Sequence, residues 1–227
     1  MVSATSEREA RYEVRREAAS VAICSSAALI LLALVSWREG WEVVSFPWWT
    51  WLVLALPGLV LCLDLWLGVG IAGQRSSAFV LLGLIVAGNV AGLVLLISAL
   101  VTTRSSDIGG GQLLMTAVVI WVANVIVFGI WYWEVDDGGP LDRARKERKT
   151  PDFQFPQDEN PELARRRPWR PRIWDYLYVS LTAASAFSPT DAMPLTYRAK
   201  ALLGIESTVS LVIVVLVTAR AVNVLGS

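Results

Sequence analysis

Five almost unbroken apolar stretches, 20–37, 48–71, 78–101, 112–133 and 199–224, alternate with polar connections along the 227-residue chain. A lipid hydrocarbon core of about 30 Å is crossed by roughly 20 helical residues rising 1.5 Å each. Each stretch lies near that length and carries few charges. The pattern predicts an all-α integral membrane protein with about five transmembrane helices. Residues 1–19 alternate in sign through Glu7, Arg8, Glu9, Arg11, Glu13, Arg15, Arg16 and Glu17, as a solvated helix does, with Glu7 four residues before Arg11. This charged opening and the lack of a small-residue cleavage site make the first stretch an anchor, not a removable signal.

The connections differ in kind. Residues 38–47 form a short Trp-rich interfacial link, 73–77 a tight turn holding Arg75, and 102–111 a flexible loop with Gly109, Gly110 and Gly111. The longest, 134–173, opens on Asp136-Asp137-Gly138-Gly139-Pro140, which should stop the fourth helix. It then carries Arg143, Arg145, Lys146, Arg148 and Lys149, a Pro-punctuated middle, and Arg165-Arg166-Arg167. Four parts follow: a charged N-terminal helix (1–19), a four-helix membrane region (20–133), a basic Pro-containing loop (134–173), and a last part (174–227) that is not one simple span.

That last part begins with about fourteen residues, 174–187, which as helix reach about 21 Å and fall short of a bilayer. Ser188-Pro189-Thr190-Asp191 then breaks the helix before the fifth span. A short helix, a polar turn and a full span predict a re-entrant element, tolerated at membrane depth only when buried in protein or lining water.

Composition narrows the chemistry. The hydrophobic fraction is 55% and the mean hydropathy +0.51. Many of the 11 tryptophans (Trp37, Trp41, Trp48, Trp49, Trp51, Trp131, Trp133) stand at span ends, where indoles favour the water–lipid boundary. With no histidine and only Cys24 and Cys62, both inside apolar stretches, the chain has no disulfide framework or zinc pattern, and hydrolase chemistry lacks its usual base. We read it as no enzyme, with no cofactor and no metal. If the N-terminus is cytoplasmic, seventeen of the twenty basic residues face inward, including those of the long loop. This positive-inside bias predicts a multi-pass protein of the cell membrane with its N-terminus and the 134–173 loop in the cytoplasm. Arg165, Arg166 and Arg167 beside a membrane point to anionic headgroups at about 1 kcal/mol per charge, not to nucleic acid. The triple glycine precedes no Lys-Ser/Thr and is no phosphate loop.

Four polar residues within the spans stand out: Asp64, Asn89, Asn124 and Glu206. Asp64 would cost about 2.5–3.5 kcal/mol at mid-bilayer unless it meets a partner such as Arg75, protein or water. Glu206 stands with Ser207, Thr208 and Ser210 on a polar face, and Asn89 and Asn124 can bond across helices for about 0.6 kcal/mol each. Gly88 and Gly92, in register with Ala87 and Ala91, give the third span a small-residue face for packing.

The segment around Ser180 resembles the pore module of potassium channels. There a pore-helix serine precedes the filter aspartate by eleven, and a proline follows by three. Ser180, Asp191 and Pro194 keep those offsets, over about 50 residues without a gap. The resemblance implies that 112–133 is an outer helix, 174–187 a pore helix and 199–224 an inner helix. Ser180, Ser185, Phe187, Ser188, Pro189, Thr190 and Asp191 would then lie at the pore turn. Where such channels carry Thr-Val-Gly-Tyr-Gly, this chain has Ala186-Phe187-Ser188-Pro189-Thr190. Pro189 fixes its own φ and restricts Ser188, so a potassium-selective carbonyl ladder is not expected. Those channels insert the loop from outside, whereas the charge bias puts it on the cytoplasmic side. A looser likeness, carried by 153–162, 174–191 and the closing span, is to an uncharacterised bacterial family of small multi-pass membrane proteins.

The foremost reading is a channel-like homo-oligomer, tetrameric by the resemblance, whose non-canonical pore loop passes or senses monovalent cations at a ring of Asp191 carboxylates. The alternative is a non-conducting membrane scaffold or partner-binding protein with a basic lipid-facing loop. A third is a small transporter using Asp64 and Glu206, although five spans show no inverted repeat.

Overall fold

In the computed structural model the described residues are 110–144, 151–160, 162, 169–186 and 191–225, with scattered positions between 17 and 63. In chain order they form α1 (Gly110–Val135), a 3-10 turn (Asp136–Gly138), α2 (Pro140–Ala144), β1 (Phe153–Gln154), α3 (Pro156–Glu159), α4 (Ile173–Ala186), β2 (Met193–Pro194) and α5 (Tyr197–Leu225). The described region is thus predominantly helical. Two helices are long and apolar enough to cross a membrane, over Ala117–Gly138 and Tyr197–Leu216. The third expected span, 78–101, and the residues expected at 64–71 lie outside the described residues.

The chain divides into two compact units, one of 1–18 with 125–210 and one of 19–124 with 211–227. In the second unit, helical positions recur between 23 and 38 and between 52 and 63. The amides of Leu52 and Val53 donate to the Trp49 carbonyl at 3.1 and 3.2 Å. Ala33, Ala55, Ala117, Ile120, Asn124 and Ile213 are buried, while Trp37 and Trp49 are exposed.

The first unit is built where α1 stops. Asp137, Gly138 and Gly139 all take positive φ (48°, 81° and 102°), a run that no right-handed helix accepts, and Pro140 then starts α2. The carbonyls left over at the end of α1 find donors. The Gly139 amide reaches Asp136 O at 2.9 Å. One arm of the Arg143 guanidinium bonds Asp136 O, and the other bonds Trp133 O at 2.7 Å. A cation at a helix C-terminus also complements the macrodipole. Arg143 is therefore buried, at 9% exposure. The first member of the basic run thus caps a helix. Trp133, expected at the water–lipid boundary, is buried too.

Helix α4 spans fourteen residues and its faces separate cleanly. Ile173, Tyr176, Val179, Ser180, Ala183 and Ala184 are buried, while Trp174, Tyr178 and Leu181 are exposed, a period of about 3.6. Its first turn is satisfied by acids. Asp175 accepts from the Arg172 amide at 2.6 Å, and Glu17 accepts from the Ile173 amide at 3.3 Å while pairing with Arg172 at 3.7 Å. Close approach of α4 to α1 needs Gly129, where an added Cβ would lie 2.7 Å from Leu177 Cδ2 and 3.0 Å from Leu177 Cα.

The partners along α4 give its direction. Tyr176 meets Asp136, Leu177 meets Gly129, and Ser180 meets Val125, so α4 runs antiparallel to α1. After α4 the chain comes back: β2 pairs antiparallel with β1, Phe153 opposite Pro194 and Gln154 opposite Met193. The amides of Asp152 and Phe153 in turn bond Asp136. The start of α4 and the approach to α5 therefore gather at the same end of α1.

Candidate functional site

Three buried acids, Asp136, Asp152 and Glu206, organise the unit around α4. Asp136 follows the last residue of α1. Its Oδ1 accepts from the amides of Asp152 (2.6 Å) and Phe153 (3.0 Å), and its Oδ2 accepts from the Tyr176 hydroxyl at 2.5 Å. The Arg143 guanidinium lies over the Tyr176 ring, 5.0 Å from its centroid. Burial pushes the Tyr176 phenol well above its ordinary value and outweighs the pull of Arg143, so Tyr176 remains a hydroxyl donor. One carboxylate thus joins the end of α1, the start of α4 and the strand β1.

Asp152 fastens the other flank. Its side chain is fully buried and accepts both arms of Arg198, Nε and Nη2, at 2.8 Å each. Thr196 Oγ1 donates to it as well, and the Leu195 amide donates to its carbonyl at 2.8 Å. The planar fork of arginine suits this two-point grip. Thr196 Oγ1 also accepts from the Ala199 amide at 3.3 Å, which caps the start of α5.

Between the two acids lies an aromatic cluster. Phe153 stands 5.1 Å from Tyr132 and 6.2 Å from Tyr176, and Phe155 packs edge-on to Tyr176 at 5.4 Å and to Trp169 at 5.5 Å. Such edge contacts add about 0.5–1.5 kcal/mol each beyond area burial.

Deeper along α5, Glu206 is fully buried. The Tyr132 hydroxyl of α1 bonds its Oε2, and the Ser180 hydroxyl of α4 lies within bonding reach of its Oε1. Ser180 Oγ also reaches the Val125 carbonyl at 2.7 Å. Ser207, one residue on, donates to Ala183 O at 3.2 Å. The polar face expected at 206–210 is real but narrow: Ser210 is buried with Glu206, while Thr208 is exposed and bonds Gly204 O of its own helix at 2.7 Å.

Comparison with family models, curated proteins and solved structures gives no significant match. What the site does is therefore argued from its residues.

Of the expected pore-turn residues, Ser180 and Ser185 lie on α4 with opposite surroundings. Ser180 is buried in the Glu206 cluster, whereas Ser185 is exposed and donates to Leu181 O at 2.6 Å. Asp191 is exposed, and Phe187, Ser188, Pro189 and Thr190 lie outside the described residues. So do Asp64, Asn89, Arg165, Arg166 and Arg167. Asn124 is buried in the second unit, and Glu206 lies in the first. Among the described residues no group of three or more His, Cys, Asp or Glu could hold a metal ion.

Sequence reasoning missed Tyr132, Asp136, Asp152 and Tyr176. Asp136 was read only as part of a helix stop, yet an acid directly after an apolar span must find donors. Tyr132 and Tyr176, both in apolar surroundings, carry such donors.

Proposed function

We propose that the chain is one subunit of a channel-like membrane oligomer, built from about five spanning helices per subunit, in which 187–191 forms a non-canonical pore turn for monovalent cations. The observation that carries this reading is the course of α4. It starts beside Asp136 at one end of α1, runs back along α1 as far as Val125, and is followed by a strand that returns to the Asp136 end before α5 begins. A fourteen-residue helix followed by such a return is what a re-entrant element requires. The polar groups of its buried face are bonded to protein, as membrane depth demands. The exposed apolar residues Ile205, Leu211, Val214 and Val215 of α5 leave surface for neighbouring copies or lipid. Because one re-entrant helix cannot enclose a pathway, conduction needs several subunits, and the exposed Asp191 carboxylates would form a ring that attracts cations. In this reading the protein is multi-pass in the cell membrane, with the N-terminus and the basic loop cytoplasmic.

A second reading, a non-conducting scaffold, is favoured by one feature. Pro189 stands where a carbonyl filter needs flexible glycines, so the turn could serve as a packed plug. Cation flux through liposomes holding purified protein separates the two. The channel reading expects flux that falls several-fold in Asp191→Ala. Equal flux in both proteins, or none in either, removes it.

A further inference from the structure

The hydrogen atoms around Glu206 can be counted. Three contacts surround it: Tyr132 hydroxyl to Oε2, Ser180 hydroxyl to Oε1, and Ser180 hydroxyl to the Val125 carbonyl. Tyr132 supplies one hydrogen and Ser180 one. A carboxylate supplies none, and a backbone carbonyl only accepts. With Glu206 ionised, two hydrogens must serve three contacts, and one pair of oxygens at hydrogen-bond distance is left without a proton. A third hydrogen on Glu206 completes the set: Tyr132 donates to Oε2, the Glu206 hydroxyl at Oε1 donates to Ser180 Oγ, and Ser180 passes its own hydrogen to the Val125 carbonyl.

We propose that Glu206 is a buried proton-binding site, and that its carboxylic-acid form fastens α4 to α1 and α5 together. The surrounding groups fit a neutral acid. From α1 the facing titratable group is Tyr132, itself a donor. From α4 no titratable group faces it: the neutral Ser180 hydroxyl does, and Tyr176 is turned instead to Asp136. The charged groups at the same end are already matched. Asp136 is held by Tyr176 and two amides, Arg143 by the Asp136 and Trp133 carbonyls, and Asp152 by Arg198. Among the described residues no basic side chain contacts Glu206. Loss of the proton leaves Ser180 one hydrogen to divide between Glu206 and Val125. Ser180 must then give up either its contact to α5 or its contact to α1, and the second of these is a direct bond from the pore-helix-like segment to the long helix before it. The inference needs neither conduction nor an oligomer and stands apart from the channel reading.

The test uses full-length protein in nanodiscs, labelled with carbon-13 at glutamate carboxyl groups, and three forms: wild type, Glu206→Gln and Glu206→Ala. Infrared spectra should show a protonated-carboxyl band in the wild type near neutral pH that is missing from Glu206→Gln and lost reversibly at alkaline pH. Glutamine mimics the acid, accepting from Tyr132 and donating to Ser180, at the cost of one spare amide hydrogen. Its thermal midpoint should therefore stay much nearer the acidic-pH wild type than that of Glu206→Ala, and should lose the alkaline decline of the wild type. A folded wild type with no such band near neutral pH overturns the proposal. So does a Glu206→Gln form that falls as far as Glu206→Ala.

Discussion

Asp136 offers the sharpest test of how the first unit is held. Replacing it with alanine strips the acceptor from three buried or half-buried donors at once: the Asp152 and Phe153 amides and the Tyr176 hydroxyl. Each unsatisfied buried donor costs about 1–3 kcal/mol. Water entering the cavity offsets part of this, and Arg143 keeps its two carbonyl partners, so the net loss is expected at about 3–5 kcal/mol, in the range for breaking a buried charged contact. Asparagine gives a contrasting case. Its carbonyl oxygen can still take both amides, and its NH2 can donate to a Tyr176 hydroxyl that turns to accept. Only the charge is lost, at about 1–2 kcal/mol. Reversible unfolding in detergent micelles, read by near-ultraviolet circular dichroism of the Tyr132–Phe153–Tyr176 cluster, measures both. An Asp136→Ala protein within about 1 kcal/mol of the wild type, or an asparagine variant worse than alanine, would refute the assignment of Asp136 as the hub.

Other expectations follow from the same contacts. Gly129→Ala pushes a methyl against the Cα of Leu177, which cannot swing aside, so α1 and α4 should separate at a cost of about 1–3 kcal/mol, seen as a lower thermal midpoint. Gly129→Ala combined with Leu177→Ala should recover part of the loss, and no recovery would contradict the packing. Asp152→Ala should destabilise more than Arg198→Ala, because removing the buried acid also frees Thr196, whereas Arg198 is 62% exposed and water can replace part of its grip. Equal midpoints for the two variants would argue against that order. In liposomes, Asp191→Ala should lower cation flux several-fold without shifting the thermal midpoint, since Asp191 is exposed.

Two of the long apolar runs were legible because helix length in lipid is set by simple arithmetic. The runs at 112–133 and 199–224 correspond to helices Gly110–Val135 and Tyr197–Leu225. The break at 136–140 was equally readable, since two glycines and a proline leave a right-handed helix no continuation. The short stretch 174–187 appears as Ile173–Ala186. The site itself was not readable in this way. Asp136, Asp152, Tyr176 and Arg198 are 16 to 62 residues apart, and no local pattern says which acid meets which donor. Arg143 was read only as one member of a basic run, and its bonds to the carbonyls of Trp133 and Asp136 emerge only from the fold. Glu206 was singled out for being an acid in an apolar helix, but its partners on two other helices emerge only from the packing.

The course of α4 is the claim on which the channel reading rests, and side-specific thiol labelling tests it most directly. In a protein with Cys24 and Cys62 replaced by serine, single cysteines at Arg172, just before α4, and at the highly exposed Tyr197, at the start of α5, are treated with a membrane-impermeant maleimide in oriented vesicles. Both should react from the same side of the bilayer. Reaction from opposite sides would mean that α4 and its turn cross the membrane, and the re-entrant account would be wrong.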